Sequence, residues 1–442
     1  MEVSLAVFDG WSASPIGPCL ISGLLGVMML TSQMSPRRIL IINLIIAGLI
    51  LVINQQAGGK AASLFRGKGS LFKAGLLLIG INMVVTLWQR AATEGLMFPA
   101  ILCINESLFL GSLILVSTGS QENWLFNILK AFTGMLIYFS VANLMAERVG
   151  FGFDYLTDRT AVFESRLGDK SFRWQTPLYS AWQMSGLLRV SLPLSIMFAV
   201  QRRHRRLEAA FWLVGAVIMA FVMKRIEYRA AVIPTLFLGG LLLLRNQAWR
   251  CTLGFGAVIY AFAAPLILPS ESVQKVLLDL LPDSLETSLG QRLQEIVTFS
   301  GRTEIWKHAI RNLMDGSHFF LGEGQYNLDC SKDLGAEMVV VSDLFRRISF
   351  HQGAIDIFYI YGTFFAGILC GCLLWGVWRG FGNLCSLRLQ PFTEHQEMLA
   401  LLTIALVAIA NAHDGFFVEH NIFYLVVAAC LAVLQRSRSA DS

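Results

Sequence analysis

Charge is what this sequence has least of. Asp, Glu, Lys and Arg make up 15% of its 442 residues, against about 25% in an average soluble domain. With 55% hydrophobic residues and a mean hydropathy of +0.59, the composition excludes an ordinary soluble fold. Short alternating segments, the mark of a transmembrane β-barrel, are missing; the apolar runs instead approach the ~20 residues a helix needs to cross a bilayer. No polar interval is long enough to stand alone as a soluble domain. The 8 cysteines suggest neither a disulfide framework nor a metal knuckle. Cys19, Cys103, Cys251, Cys370, Cys372 and Cys430 fall in or beside apolar runs, Cys385 in a short basic loop, and only Cys330 in a long polar interval. The net charge of +5 sits in short loops without interleaved aromatics, which is membrane topology rather than nucleic-acid binding. An internal repeat of the kind a 6+6 transporter shows is also missing.

What remains is about twelve apolar runs of spanning length. They lie near 16–33, 39–55, 71–88, 96–117, 123–145, 178–200, 209–223, 230–244, 251–269, 353–378, 398–413 and 416–434. The first lacks a basic flank and a small-residue cleavage site and reads as a span, not a removed signal. The expected fold is an all-α polytopic membrane protein of about 12 transmembrane helices. Residues 1–269 would hold helices 1–9, 270–352 a long outward-facing loop with interfacial helices, and 353–442 helices 10–12. A second outward loop is expected at about 146–177. The Lys/Arg bias of short loops gives the orientation. "QRRHRRLE" at 201–208, Arg245 with Arg250, Arg379 with Arg388, and the tail "RSRS" share one side, which is then cytoplasmic. Arg37 and Arg38 fall on the other side and disagree.

The outward-facing interval 270–352 carries Lys275, Arg292, Arg302, Lys307, Arg311, Lys332, Arg346 and Arg347 against twelve Asp or Glu. Within it, "RTEIWKHAIRNLM" puts Ile305, Trp306, Ala309, Ile310, Leu313 and Met314 on one helical face and Lys307, His308 and Arg311 on the other. That pattern predicts a helix lying in the membrane interface with Trp306 at headgroup level. Three stretches combine ionisable residues with a position near the outer face. They are "MKRIEYRAAVI" from Met223, "SGRTEIW" from Ser300, and "SFHQGAIDIFYIYG" from Ser349.

Their order and spacing resemble the bacterial O-antigen ligase and polymerase family, which includes exopolysaccharide polymerases. The shared elements are an Arg before a span (Arg229), a Gly-Arg followed by Trp (Gly301, Arg302, Trp306), and a His with ten residues before a Gly (His351, Gly362). "FFLGEGQYN" from Phe319 resembles the family's Gly-x-Gly turn. The resemblance covers 219 to about 376; the first half matches only as hydropathy. Tyr228 stands where the family usually has Ser, and Gln352 where it commonly has Asn. The resemblance implies a GT-C-like fold and an inverting glycosyltransferase without metal or other cofactor. Its donor would be a glycan on undecaprenyl pyrophosphate and its acceptor a sugar. A chain-length regulator and a flippase are the implied companions.

The residues suit that chemistry. A guanidinium binds phosphate oxygens through a bidentate fork, so Arg229 and Arg302 can hold a pyrophosphate leaving group. Ser300 or Thr303 can cap the following helix, whose N-terminal N–H groups would add to Arg302 in attracting an anion. A neutral imidazole at His351 can take the proton of an attacking hydroxyl. Each residue also has an ordinary use: arginines at an outer surface snorkel or touch lipid phosphate, and histidines are common at interfaces. Lys224 and Arg225 suit either phosphate contacts or interface anchoring. In "NAHDGFFVEHN", His413, Asp414, Glu419 and His420 match no standard metal spacing. Asp414 and His420 read instead as acceptor-sugar contacts. Mid-span Glu106 and Arg189 need a partner or a water-filled cavity, and pairing with each other is the structural solution.

Two other functions share the hydropathy. A ligase would use the same donor, but its phosphate-rich lipid A core acceptor would meet a net acidic loop, which favours a repeat-unit polymerase. A lipid or polysaccharide transporter would place its polar groups at the midplane, whereas here they lie outside it.

Overall fold

The computed structural model describes residues 16–31, 36–56, 70–94, 96–118, 124–149, 161–164, 170–173, 181–201, 205–225 and 270–279. It also describes scattered positions within 235–267, 306–322 and 353–371, and residue 425. Seven long helices occupy the first seven apolar runs. They are α1 (Ile16–Thr31), α2 (Pro36–Gln56), α3 (Ser70–Glu94), α4 (Met97–Thr118), α5 (Trp124–Val149), α6 (Ala181–Gln201) and α7 (Arg206–Arg225). A short amphipathic helix, α8 (Glu271–Asp279), opens the long polar interval. Two segments, Phe126–Met145 and Arg206–Lys224, are long and apolar enough to cross a membrane; the other described apolar helices are shorter. The apolar runs from 230 onward fall largely outside the described residues.

The all-α class holds, with one small addition among the described residues. The interval read as the first outward loop contains an antiparallel hairpin of β1 (Ala161–Glu164) and β2 (Lys170–Arg173). Its register pairs Glu164 with Lys170 and Val162 with Phe172. The connection 165–169 includes a glycine, as short hairpin loops do, and the chain on either side lacks the periodicity that would continue a helix.

The helices form two neighbourhoods joined through α1. Helix α4 packs on α1, α2 and α3, while α5 packs on α1, α6 and α7. At the α1–α5 joint a side chain on Gly26 would stand 3.0 Å from the Phe132 amide nitrogen and 3.3 Å from the Ala131 Cβ. Small residues at helix crossings allow such approach where lipid offers no hydrophobic gain from association.

The α5–α6–α7 unit has a register that can be read contact by contact. Lys130 Nζ donates to Glu208 Oε1 at 2.6 Å, a sequence separation of 78. The next two points keep the same offset: Trp212 faces Gly134, and Ile137 fills the space at Gly215. A constant offset means that α5 and α7 run parallel. Helix α6 runs antiparallel to both. Phe198 meets Phe126 and Trp212 at ring-centroid distances of 5.1 and 4.9 Å, and Ser191 Oγ donates to Met219 Sδ on α7. Ser195 Oγ adds a 2.6 Å bond to the Trp212 carbonyl. Such interhelical hydroxyl bonds are a standard device where a helix face meets no water. Pro193 lies inside α6, where it removes the N–H that would bond the Arg189 carbonyl.

Candidate functional site

Most residues singled out from the sequence lie outside the described residues: Tyr228, Arg229, Gly301, Arg302, His351, Asp414 and His420. Arg225 is the last residue of α7, with its side chain outside the description. Trp306 is described, and the chain is helical at Trp306, Lys307, Ile310, Arg311, Leu313 and Met314. Arg311 is exposed, as the polar face requires. Trp306 departs from expectation, with only 3% of its surface exposed. Its ring is enclosed by protein rather than resting at headgroup level, while Met314 on the supposed apolar face stands 68% exposed. The apolar face read from periodicity therefore meets protein at Trp306, where burying the largest ring stabilises most.

The best-defined geometry joins "FFLG" to the helical stretch that follows His351. Described residues from Gly353 to Gly371 are helical, and Ala354, Ile355, Ile357, Tyr359, Tyr361, Phe365 and Ala366 are buried. Within this stretch Gly362 has φ of 70°, and the Gly322 that ends the turn has φ of 76°. An α-helix needs φ near −63°, so Gly362 is a local break that other residues rarely tolerate. The turn fills that break. Thr363 donates to the Phe319 carbonyl through both its N–H (2.9 Å) and its Oγ1 (2.8 Å), and the Phe364 N–H donates to the Phe320 carbonyl at 3.4 Å. Backbone from two distant parts of the chain is in direct contact: a Cβ on Gly362 would collide with the Phe320 oxygen, the Gly322 nitrogen and the Leu321 carbonyl carbon. No family model, curated protein or solved structure matches this chain.

The turn brings together two motifs that sequence reading named separately, the Gly-x-Gly stretch and the glycine that follows His351. Phe320, Leu321 and Phe364 point outward from this junction and are exposed. Sequence reading missed Thr363; a hydroxyl beside a glycine in an apolar run was the available signal.

The charged residues within the helices fall into different settings. Arg189 on α6 is completely buried, and Glu106 on α4 is half-buried. Their helices belong to the two separate neighbourhoods, so a direct bridge between them is not among the principal helix contacts. Lys130 was not singled out. Besides Glu208, its Nζ lies 5.2 to 6.0 Å from the ring centres of Phe126, Phe198 and Trp212. An ammonium over three aromatic faces and against a carboxylate is well compensated for its lost hydration. Three helix ends meet at this cluster, which gives it an architectural use. Among the described residues no group of His, Cys, Asp or Glu is arranged to hold a metal.

Proposed function

We propose that the chain is a polytopic inner-membrane glycosyltransferase facing the periplasm. It moves a glycan from an undecaprenyl pyrophosphate carrier to an acceptor sugar, acting as a repeat-unit polymerase. One observation carries the reading: Arg229, Gly301-Arg302 with Trp306, the Gly-x-Gly turn, and His351 with Gly362 occur in the family's order, and the turn and Gly362 are in backbone contact. The exposed apolar faces of α2 (Ile41, Leu44, Ile45, Val52) and α7 (Phe211, Val214, Val217, Phe221) support membrane embedding, because water-soluble surfaces rarely carry such continuous patches. About twelve spans would then cross the bilayer.

In this reading Arg302 and Arg229 bind the pyrophosphate oxygens. His351 accepts the proton of the acceptor hydroxyl as its oxygen attacks the anomeric carbon. The bond from that carbon to the phosphate oxygen breaks, undecaprenyl pyrophosphate leaves, and the anomeric centre inverts. Guanidinium groups act here by stabilising charge that grows on the leaving group, a contribution that rises in the transition state.

Purified protein incubated with lipid-linked repeat units alone should give a ladder of longer products. Arg302→Ala and His351→Ala should each lower the rate by about 10²-fold or more while remaining inserted. Transfer that appears only after lipid A core is added identifies a ligase. Unchanged polymer length and amount with Arg302→Ala removes the enzyme reading and leaves a transporter or a structural partner in an export complex as its successor.

A further inference from the structure

We infer that Gly362 and Thr363 are positioning residues. They clamp the Phe319–Leu321 turn, which follows Arg302 in the chain, to the helical stretch that follows His351. The identity of the groups being positioned rests on the glycosyltransferase reading above; the clamp itself rests on geometry.

Four observations define it. Gly362 adopts a left-handed φ of 70°, which frees nearby backbone from regular helical bonding. The freed groups find partners in the turn: the Phe319 carbonyl accepts both the Thr363 N–H and the Thr363 Oγ1, and the Phe320 carbonyl accepts the Phe364 N–H. Gly362 leaves no room for a Cβ, because the atoms it would strike are backbone atoms of Phe320, Leu321 and Gly322, which cannot swing aside as a side chain does. Gly322, buried and with φ of 76°, is the second left-handed glycine at the contact.

The depth of the contact matters. Gly362 lies about nine residues beyond Gly353, roughly 13 Å along a helix. A turn docked there stands beside the helix rather than above its end. Where this stretch crosses a bilayer, as the reading above has it, irregular backbone beside it persists only when protein satisfies its polar groups, and the paired carbonyls meet that condition. The outward Phe320, Leu321 and Phe364 side chains present apolar surface at the same level. A hydroxyl that doubles one carbonyl's bonding is a positional device, since the helix needs no side-chain donor there.

Thr363→Val keeps the shape and the N–H but deletes the Oγ1 donor, and Thr363→Ser restores it. The full-length protein in detergent is compared by limited proteolysis of the segment 323–350 and by kcat and KM on the lipid-linked repeat unit. Thr363→Val should be cut about five- to tenfold faster, the loss expected for one hydrogen bond, and should lose a similar factor in kcat with KM little changed. Thr363→Ser should recover both. Gly362→Ala should show the larger loss in both assays. Equal protection and equal kcat in Thr363→Val and wild type overturn the clamp. So does a kcat loss that Thr363→Ser fails to recover. If wild-type protein shows no transfer, the glycosyltransferase reading falls and proteolysis decides alone. Protection lost in Val and regained in Ser then supports the clamp; equal protection in all three rejects it.

Discussion

Trp306 shows how far a single residue can be read from sequence. Its place on an apolar helical face was legible, because Ile310 and Leu313 recur at helical spacing and the chain is indeed helical there. Which body of matter that face meets was not legible, since lipid and protein interior reward an indole ring alike. At 3% exposure the ring is a core element, and Trp306→Ala should therefore destabilise the protein by about 3–5 kcal/mol, with Trp306→Phe milder. Thermal unfolding of the purified protein measures this. An unchanged midpoint together with a raised KM for the donor would give the ring a substrate-binding role instead. Lys130 teaches the converse lesson. A lysine in an apolar run announces a cost, as Glu106 and Arg189 do, yet most of its compensation, by Glu208, Phe198 and Trp212, comes from two other helices that hydropathy treats as unrelated, with Phe126 added from its own.

Among elements, the existence of α1 to α7 followed from the length and composition of the apolar runs, and their ends lie within a few residues of expectation. Their mutual register did not follow, because period and hydropathy specify a face but not a height. Height in α5 and α7 is set by fits such as Ile137 into the space left by Gly215. Helix packing of this kind is intolerant of added volume. Gly215→Ala should cost about 1–3 kcal/mol, because the new methyl overlaps the Ile137 Cδ1 and Cγ1. Ile137→Val deletes Cδ1, the nearer of the two. The double variant should thus be more stable than the sum of the single losses, with a coupling of about 1 kcal/mol. Strictly additive midpoints would show that Gly215 does not set the spacing of α5 and α7, and the offset of 78 would then be maintained by the Lys130–Glu208 pair and its aromatic box. The hairpin at 161–173 was illegible for another reason: two four-residue strands give too few alternations to stand out from a polar loop.

At the scale of the whole molecule, topology decides whether the proposed chemistry is possible at all. On that proposal the lipid-linked donor is presented at the periplasmic surface, so the interval 270–352 must lie outside and the basic loops inside. Only two described helices meet the length and apolarity of a span on their own, so orientation rests on charge: the cluster at 201–208, Arg245 with Arg250 and Arg379 with Arg388 share one side, while Arg37 and Arg38 oppose it. Two native cysteines test the assignment. Cys330 lies in the long polar interval and Cys385 between Arg379 and Arg388. In cells with a permeabilised outer membrane, a variant keeping only Cys330 should react with a membrane-impermeant maleimide. A variant keeping only Cys385 should react only after the inner membrane is broken. The reverse pattern would put Arg302 and His351 in the cytoplasm, away from a periplasmic donor, and the glycosyltransferase proposal would fail even with every local contact intact. Labelling of both sites from outside would place an odd number of spans fewer or more between them, and would move the revision to the runs at 353–378. The clamp at Gly362 would survive either result, because it depends on two backbone segments meeting and not on the side of the membrane where they meet.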